Sequence, residues 1–238
     1  MIGLDFGTTN SAIGVARDGT AALARFRHRD RLIETFRSVL HFSGESAGPG
    51  QRPAVTAGPD AIEAYLDEGA AGRFLQSLKS HLGSRLFQET YINGWKYTLE
   101  DLVAILLREL REAVTAQFGD VGTRVLIGRP VHFAIGDFGK VDDAGDAHAM
   151  TRLRAAARLA GFDEVEFEYE PLAAAYEYER SLDHDELVLI GDFGGGTSDF
   201  CLVRLGPSAR RAGDRAETIL AVDGVPLAGN TFDARLVR

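Results

Sequence analysis

Two short segments of this 238-residue chain combine a carboxylate, glycine and hydroxyl side chains in the same order. The first reads DFGTTNS over residues 5–11, and the second reads DFGGGTS over residues 192–198. Glycines at a turn between strands let backbone N–H groups approach an anion without a Cβ in the way. Threonine and serine hydroxyls add donors at the same place. Both segments therefore predict a phosphate-binding turn.

A carboxylate stands directly ahead of each turn, where it would repel a phosphate group. Asp5 and Asp192 make chemical sense if a Mg²⁺ ion lies between them and the phosphates, because Mg²⁺ prefers carboxylate, water and phosphate oxygens as ligands. We therefore expect both aspartates to hold the ion through water, while the two turns clamp a phosphate tail from opposite sides. The predicted phosphate-binding residues are Gly7, Thr8, Thr9 and Asn10 in the first turn and Gly194, Gly195, Gly196 and Thr197 in the second.

A third DFG triplet, at residues 137–139, lacks this context. It is followed by KVDD at residues 140–143 rather than by an apolar strand. We interpret it as a solvated loop.

Apolar runs flank both predicted phosphate-binding turns. Residues 2–6 and 11–17 predict one β-hairpin, and the fully apolar run 187–190 with residues 199–205 predicts another. Such an internal repeat indicates two similar lobes that meet at a pseudo-twofold axis.

We assign residues 1–184 to lobe I and residues 185–238 to the opening part of lobe II. The first lobe is expected to be complete and the second to be truncated.

Helices and strands alternate between the two hairpins. Residues 36–42 predict a strand, and Thr98 with Asp101 forms a capping-box start for a helix whose apolar stripe runs to Phe118. Gly119 ends that helix. The resulting pattern is α/β, with helices packed on a mixed sheet.

Composition excludes several classes of protein. A formal charge of −9 and an isoelectric point near 5.2 argue against a nucleic-acid binder. Since no apolar run reaches about 18 residues, we expect no membrane helix. The N-terminus predicts a strand rather than a signal peptide. A single cysteine, Cys201, cannot form an internal disulfide, so we expect a buried, inert thiol and a cytoplasmic location.

The polar segment around Arg210, Arg211 and Arg215 lies between predicted strands. We interpret it as a solvated loop, with contact to a partner as the alternative.

With these motifs in place, the sequence resembles the nucleotide-binding domain of the 70-kDa heat-shock (DnaK-like) chaperones, which have an actin-like ATPase (ribonuclease H-like) fold. The two predicted turns match the phosphate-1 and phosphate-2 motifs of that family. Further segments resemble family motifs in the same order along the chain: SLKSHLG at 77–83, IGRP at 127–130, EPLAAA at 170–175 and AGNTFD at 228–233. In the last, Ala228 replaces the first glycine of the family pattern. The IGRP and YEP variants look closer to short bacterial homologues that lack a peptide-binding domain.

The resemblance implies roles for residues that spacing alone would leave unassigned. Lys79 would position the γ-phosphate and the attacking water, and Glu170 and Asp199 would complete the shell of the water and Mg²⁺. Pro130 would couple the nucleotide state to lobe movement. The implied cofactors are ATP or ADP with Mg²⁺, and the implied partners are nucleotide and protein clients or co-chaperones.

Three alternatives stay open. The adenosine-binding motif of the family lies beyond the end of this chain, which therefore could be a fragment that binds nucleotide weakly without hydrolysis. It could also be an actin-like scaffolding relative, or a sugar or acetate kinase of the same superfold. A kinase needs an aspartate as general base, and Asp137 is the first candidate after the IGRP segment.

Overall fold

The computed structural model describes residues 1–45, 48, 50–133, 143–211 and 215–237. The DFG triplet at 137–139, and with it the candidate kinase base Asp137, lies outside the described residues.

The strands and helices of the described residues are numbered in chain order. The strands are β1 Ile2–Phe6, β2 Asn10–Arg17, β3 Thr20–Leu23, β4 Phe26–His28, β5 Arg31–Ile33, β6 Phe36–Arg37, β7 Val39–Phe42, β8 Val55–Ala57, β9 Arg73–Gln76, β10 Glu89–Ile92, β11 Trp95–Thr98, β12 Arg124–Arg129, β13 Glu164–Tyr169, β14 Glu186–Phe193, β15 Ser198–Leu205 and β16 Ile219–Val225. The helices are α1 Pro59–Asp67, α2 Leu99–Phe118, α3 Asp143–Leu159, α4 Glu170–Glu179, α5 Pro207–Arg211 and α6 Gly229–Leu236.

The main sheet is mixed, as the sequence predicted. Its strand order is β13-β12-β1-β2-β3, with the short β6 beside β2. β1 pairs in parallel with β12 and antiparallel with β2, and β12 pairs in parallel with β13. A second sheet, β14-β15-β16, is antiparallel. Both predicted hairpins, β1-β2 and β14-β15, are therefore present.

The core of the first sheet follows from the alternation of side chains along β1. Ile2, Leu4 and Phe6 are buried, whereas Gly3 and Asp5 face the opposite, open side. The buried side packs in one cluster with the apolar stripe of α2. This alternation places the Asp5 side chain on the open face of the sheet.

The capping box predicted for α2 is confirmed. The Thr98 hydroxyl accepts a hydrogen bond from the Asp101 N–H at 3.1 Å, and the Asp101 carboxylate accepts one from the Thr98 N–H at 2.9 Å. Gly119 follows the last residue with a φ of 76°, a conformation that favours glycine.

The strand predicted at residues 36–42 is split at Ser38. β6 pairs with β2 of the main sheet, whereas β7 pairs with β8 and β9 of a separate small sheet. The break arises because Ser38 bonds to the first turn instead of continuing a ladder: its N–H donates to the Thr9 carbonyl at 3.0 Å. Its hydroxyl is also 2.9 Å from that of Ser11.

α4 packs on the second sheet and forms a second core. This cluster contains Leu172 and Ala175 of α4 with Cys201, Val203 and Leu205 of β15. Burial of Cys201, which is confirmed, raises the pKa of its thiol, and the negative charge of Glu168 acts in the same direction. The boundary between residues 184 and 185 stays a prediction.

β14 is apolar on both faces, but only one face is covered in the described structure. Val188 and Ile190 pack against the second core, while Leu187, Leu189 and Phe193 are exposed. The expectation of an apolar strand at 187–190 is confirmed, and its alternation follows from the pleat.

The interpretation of the arginine segment as a solvated loop is wrong for Arg215. Its guanidinium lies 2.6 Å from the buried carboxylate of Glu179 and over the ring of Tyr176. Arg210 and Arg211 belong to α5 and are exposed, although Arg210 donates to the Leu182 carbonyl. Sequence reasoning missed the pair because Glu179 lies 36 positions earlier.

Among the described helices, none is long and apolar enough to cross a bilayer.

Candidate functional site

The first turn is tightly folded on itself. A Cβ at Gly7 would lie 2.0 Å from the carbonyl oxygen of Asn10, so no side chain fits there. Thr8 is buried, and the turn is fixed to the neighbouring strand by the hydrogen bonds of Ser38. The glycine is therefore a steric requirement of the turn.

The second turn lies directly against the first. A Cβ at Gly195 would lie 2.5 Å from the Thr9 hydroxyl oxygen, and one at Gly196 would lie 2.9 Å from the Thr8 hydroxyl oxygen. The structure thus brings together two turns that are 187 positions apart in sequence, counting from Thr8 to Gly195.

The start of α6 closes one side of this pair of turns. The N–H groups of Gly229 and Asn230 donate to the carbonyls of Gly194 and Gly195 at 3.1 and 3.0 Å. Ala228, which precedes them, has φ −156° and ψ −161°, an extended backbone that any residue adopts. Alanine at position 228 is therefore compatible with the hydrogen bonds between the start of α6 and the second turn.

Lys79 enters the site from a 3₁₀ turn, Leu78–His81. The preceding Ser77 has φ 58°, which is uncommon for a residue other than glycine, and it reverses the chain ahead of the lysine. Only 7% of the Lys79 side chain is exposed, and its Nζ donates to Glu170 Oε1 at 2.5 Å.

Glu170 is the first residue of α4, and Pro171 follows it in the first turn of the helix. Proline is favoured there because an N–H group in the first turn has no helical partner to lose. β13 delivers Glu170 to the same end of the sheet as β1, since both strands lie parallel to β12. A Cβ at Gly128 of β12 would lie 3.0 Å from Glu170 Cγ, so this glycine leaves room for the glutamate.

Carboxylates crowd the cleft around Lys79. The pKa of Asp5 is raised to about 6, first because the surrounding protein removes part of its hydration, although water still reaches the side chain. The negative charges of Glu170 and Asp192 raise it further. Burial and the charge of Glu170 also raise the pKa of Asp192. Lys79 opposes both shifts. Hard oxygen donors with unbalanced negative charge are the chemistry that suits Mg²⁺.

Asp199 and Pro130 lie behind the wall of the cleft rather than in it. Asp199 is 1% exposed, and its Oδ1 accepts a hydrogen bond from the N–H of Val131 at 2.7 Å. Burial raises the pKa of Asp199, and its hydrogen bonds from Val131 and Thr197 oppose that shift. Pro130 precedes Val131 and is buried. A Cβ at Gly224 would lie 2.6 Å from the same carboxylate oxygen.

A cavity of about 400 Å³ joins the remaining predicted residues. Among the residues on its wall are Asp5, Gly7, Thr8, Thr9, Asn10, Lys79, Glu170, Asp192, Gly194, Gly195, Gly196 and Thr197. A larger and mainly apolar cavity of about 600 Å³ adjoins it on the open face of β1, β2 and β3, and shares Asp5, Glu170 and Asp192.

Sequence reasoning missed two polar residues at this site. Arg37 Nη1 donates to Asn10 Oδ1 at 3.0 Å, and Asn230 Nδ2 lies 3.4 Å from the hydroxyl of Ser77. Residues 36–42 are mainly apolar and predict a strand, and this pattern carries no signal for a role of Arg37 at the site.

A separate group lies near the start of α1. His28, Asp60 and Glu63 each place one potential metal-ligand atom within 4.8 Å of the others. Arg29 lies 2.5 Å from Glu63 and already neutralises it. This group shares no residue with the cleft.

The mixed sheet, its covering helices and the two opposed glycine turns define the actin-like ATPase fold. The Hsp70 protein family model matches residues 73–238, which is more than half of the chain. The chain therefore belongs to the Hsp70 family, and this membership implies a nucleotide-binding chaperone function. The match contains Lys79, Glu170 and the second turn, while pairing of β1 with β12 brings the first turn to them.

Proposed function

We propose that this chain binds ATP or ADP with Mg²⁺ in the cleft between the two glycine turns and slowly hydrolyses ATP to ADP and phosphate. The observation that carries the proposal is the Lys79–Glu170 ion pair, which stands on the wall of the cavity that both turns line. A cation held at that place suits a terminal phosphate.

The two turns would bind the phosphate tail through backbone N–H groups and through the hydroxyls of Thr8, Thr9 and Thr197. Their mutual contact supports a clamp rather than two separate sites. Because the protein carries a formal charge of −9, attraction of a polyanion has to come from these local donors.

Asp5 and Asp192 would hold a hydrated Mg²⁺, which when bound would neutralise charge on the phosphate oxygens. The pKa values of both aspartates are raised first by burial and then by neighbouring negative charge, which a bound cation would offset.

For hydrolysis, Lys79 would donate a hydrogen bond to the γ-phosphate or to the attacking water. The water oxygen forms a bond to the γ-phosphorus, the bond from that phosphorus to the β,γ-bridging oxygen breaks, and the water proton passes to Glu170 or to the released phosphate. Glu170 also holds the Lys79 ammonium in place before nucleotide binds. Asp199 would act from behind the wall, by positioning the second turn relative to Val131.

Pro130 would couple the nucleotide state to the lobes. It joins the end of β12 to Val131, whose N–H bonds to Asp199 of the second hairpin. A shift of the second turn on phosphate binding would therefore pull on the residue that follows the proline.

The same proposal extends to partners and setting. The chain would act as the nucleotide-binding part of a DnaK-like chaperone in the cytoplasm, related to short bacterial forms without a peptide-binding domain, with protein clients or co-chaperones as partners.

The test has two measurements on the wild-type chain and on Lys79→Ala. Calorimetric titration with Mg²⁺·ADP measures binding, and release of inorganic phosphate from Mg²⁺·ATP measures hydrolysis. We expect binding by both proteins and hydrolysis by the wild type alone. Lys96→Ala is the matched control, since Lys96 is an exposed lysine paired with Glu89 away from the cleft.

Equal hydrolysis by wild type and Lys79→Ala would contradict the catalytic assignment. Binding without any hydrolysis by the wild type would favour the reading as a nucleotide-binding relative. Phosphate transfer to a sugar or to acetate, in place of transfer to water, would favour the kinase reading.

A further inference from the structure

Arg37 is anchored to the first phosphate turn by its backbone. It belongs to β6, whose register places it opposite Asn10 of β2. The next residue, Ser38, donates its N–H to the Thr9 carbonyl at 3.0 Å, and its hydroxyl is 2.9 Å from that of Ser11. The position of Arg37 relative to the turn is therefore fixed by a short ladder and by a buried hydroxyl pair.

Among the described residues, the guanidinium of Arg37 donates one hydrogen bond. Nη1 donates to Asn10 Oδ1 at 3.0 Å, and no carboxylate of the described residues lies within ion-pair distance of the group. An arginine side chain has five N–H donors and stays protonated at any physiological pH. A half-buried cation with free donors thus borders the turn.

Arg37 lines a second cavity, of about 520 Å³, that continues from the phosphate cavity. The two cavities share Thr8, Thr9, Asn230 and Asp233 on their walls. Ser77, which directs the chain towards Lys79, is also on the wall of this second cavity. Arg37 and Lys79 therefore line two adjoining cavities that both reach Thr8 and Thr9 of the first turn.

The two cations differ in how far they are neutralised. Lys79 is paired with Glu170. Asp233 is the acidic residue on the wall of the second cavity, and its carboxylate is not within 4.0 Å of the Arg37 guanidinium. A triphosphate carries more negative charge than a diphosphate, and arginine can bind a phosphate group through two parallel hydrogen bonds.

We infer that Arg37 is a second cationic contact for the terminal phosphate of bound ATP, and that it makes the site prefer ATP over ADP. This inference rests on the proposed function, because it requires that the cleft bind nucleotide. Arg37 adds a specificity determinant to that site: its charge acts on the γ-phosphate, while the turns bind the phosphates that both nucleotides share.

The experiment compares two ligands on the full chain by calorimetry: Mg²⁺·ADP and the Mg²⁺ complex of the non-hydrolysable β,γ-imido analogue of ATP. We expect Arg37→Ala to weaken the analogue about ten- to hundredfold, the range of one charged hydrogen-bonded contact, and to weaken ADP by about twofold or less. Arg31→Ala is the matched control, because Arg31 is an exposed arginine on β5 outside both cavities.

Arg37→Gln keeps a hydrogen-bonding side chain near Asn10 and removes the charge. We expect it to lose the preference as well, and it decides the question if thermal unfolding shows that Arg37→Ala does not fold. An equal loss for both ligands would overturn the inference, since it would mean that Arg37 acts only by positioning Asn10. Unchanged affinities would also overturn it. If the wild type bound neither ligand, the proposed function would fail, and the inference would fail with it. If the wild type bound both ligands and both variants kept its ratio of affinities, only the role of Arg37 would be refuted.

Discussion

Lys79 and Glu170 lie 91 positions apart in sequence, yet their side chains meet at 2.5 Å inside the cleft. One comes from a 3₁₀ turn and the other begins α4. Both side chains are largely shielded from water, with exposed fractions of 7% and 15%. Each therefore needs the other, because a charge in that place without a partner is costly.

A double-mutant cycle on Lys79 and Glu170 should show strong coupling. We expect each alanine variant to lower the free energy of unfolding by about 1–3 kcal/mol, and the double variant to lose less than the sum, because a lone partner is left poorly solvated. Urea denaturation measures these changes. The Lys96–Glu89 pair, with exposed fractions of 55% and 42%, serves as the control and should couple by about 1 kcal/mol or less. Similar coupling in both pairs would contradict the role of burial.

The raised pKa of Asp5 predicts a pH dependence of stability. A carboxyl group whose pKa is higher in the folded protein binds its proton more tightly in the folded state than in the unfolded state. The stability that protonated Asp5 contributes is therefore complete below its ordinary pKa near 3.8, and it is lost as the pH rises to about 6. Asp5→Asn removes this titration. We expect the variant to gain thermal stability relative to the wild type between pH 4 and pH 6.5 in the absence of Mg²⁺ and nucleotide. A difference in melting temperature that does not change over this range would show that Asp5 titrates normally.

The contact between the two turns predicts a steric effect at Gly195. An added Cβ would lie 2.5 Å from the Thr9 hydroxyl oxygen, so Gly195→Ala should push the turns apart and weaken Mg²⁺·ADP binding by about tenfold or more. Gly3→Ala is the control, since no atom lies within 4 Å of its added Cβ. Calorimetric titration compares the two variants. If both bind like the wild type, the turns do not clamp the phosphates.

The ion pair between Arg215 and Glu179 predicts a larger loss of stability than a surface pair would. Glu179 is only 4% exposed and also accepts the N–H of Gly206, so Arg215→Ala would leave a buried charge without its cation. We expect the free energy of unfolding to fall by about 3 kcal/mol in urea denaturation. Arg180→Ala removes the exposed pair with Glu177 and should cost about 1 kcal/mol or less. Equal effects would mean that Arg215 is solvated, as its sequence context first indicated.

The sequence by itself determined the features that depend on neighbouring residues. Both glycine turns, their flanking strands and the capping box at Thr98 are local patterns, since turn geometry, strand alternation and helix capping act over a few positions. The motif order also indicated the Hsp70 family, to which the family match assigns the chain.

The tertiary structure alone decided which distant residues meet. Spacing could not place Lys79 beside Glu170, put Arg37 at the first turn or bury Arg215 against Glu179, because each contact depends on how separate elements pack. The tertiary structure also places Asp199 behind the cleft wall, where one of its carboxylate oxygens accepts a hydrogen bond from the N–H of Val131. The two phosphate turns are local in origin, but their direct contact, measured at Gly195 and Thr9, is a product of the assembled fold.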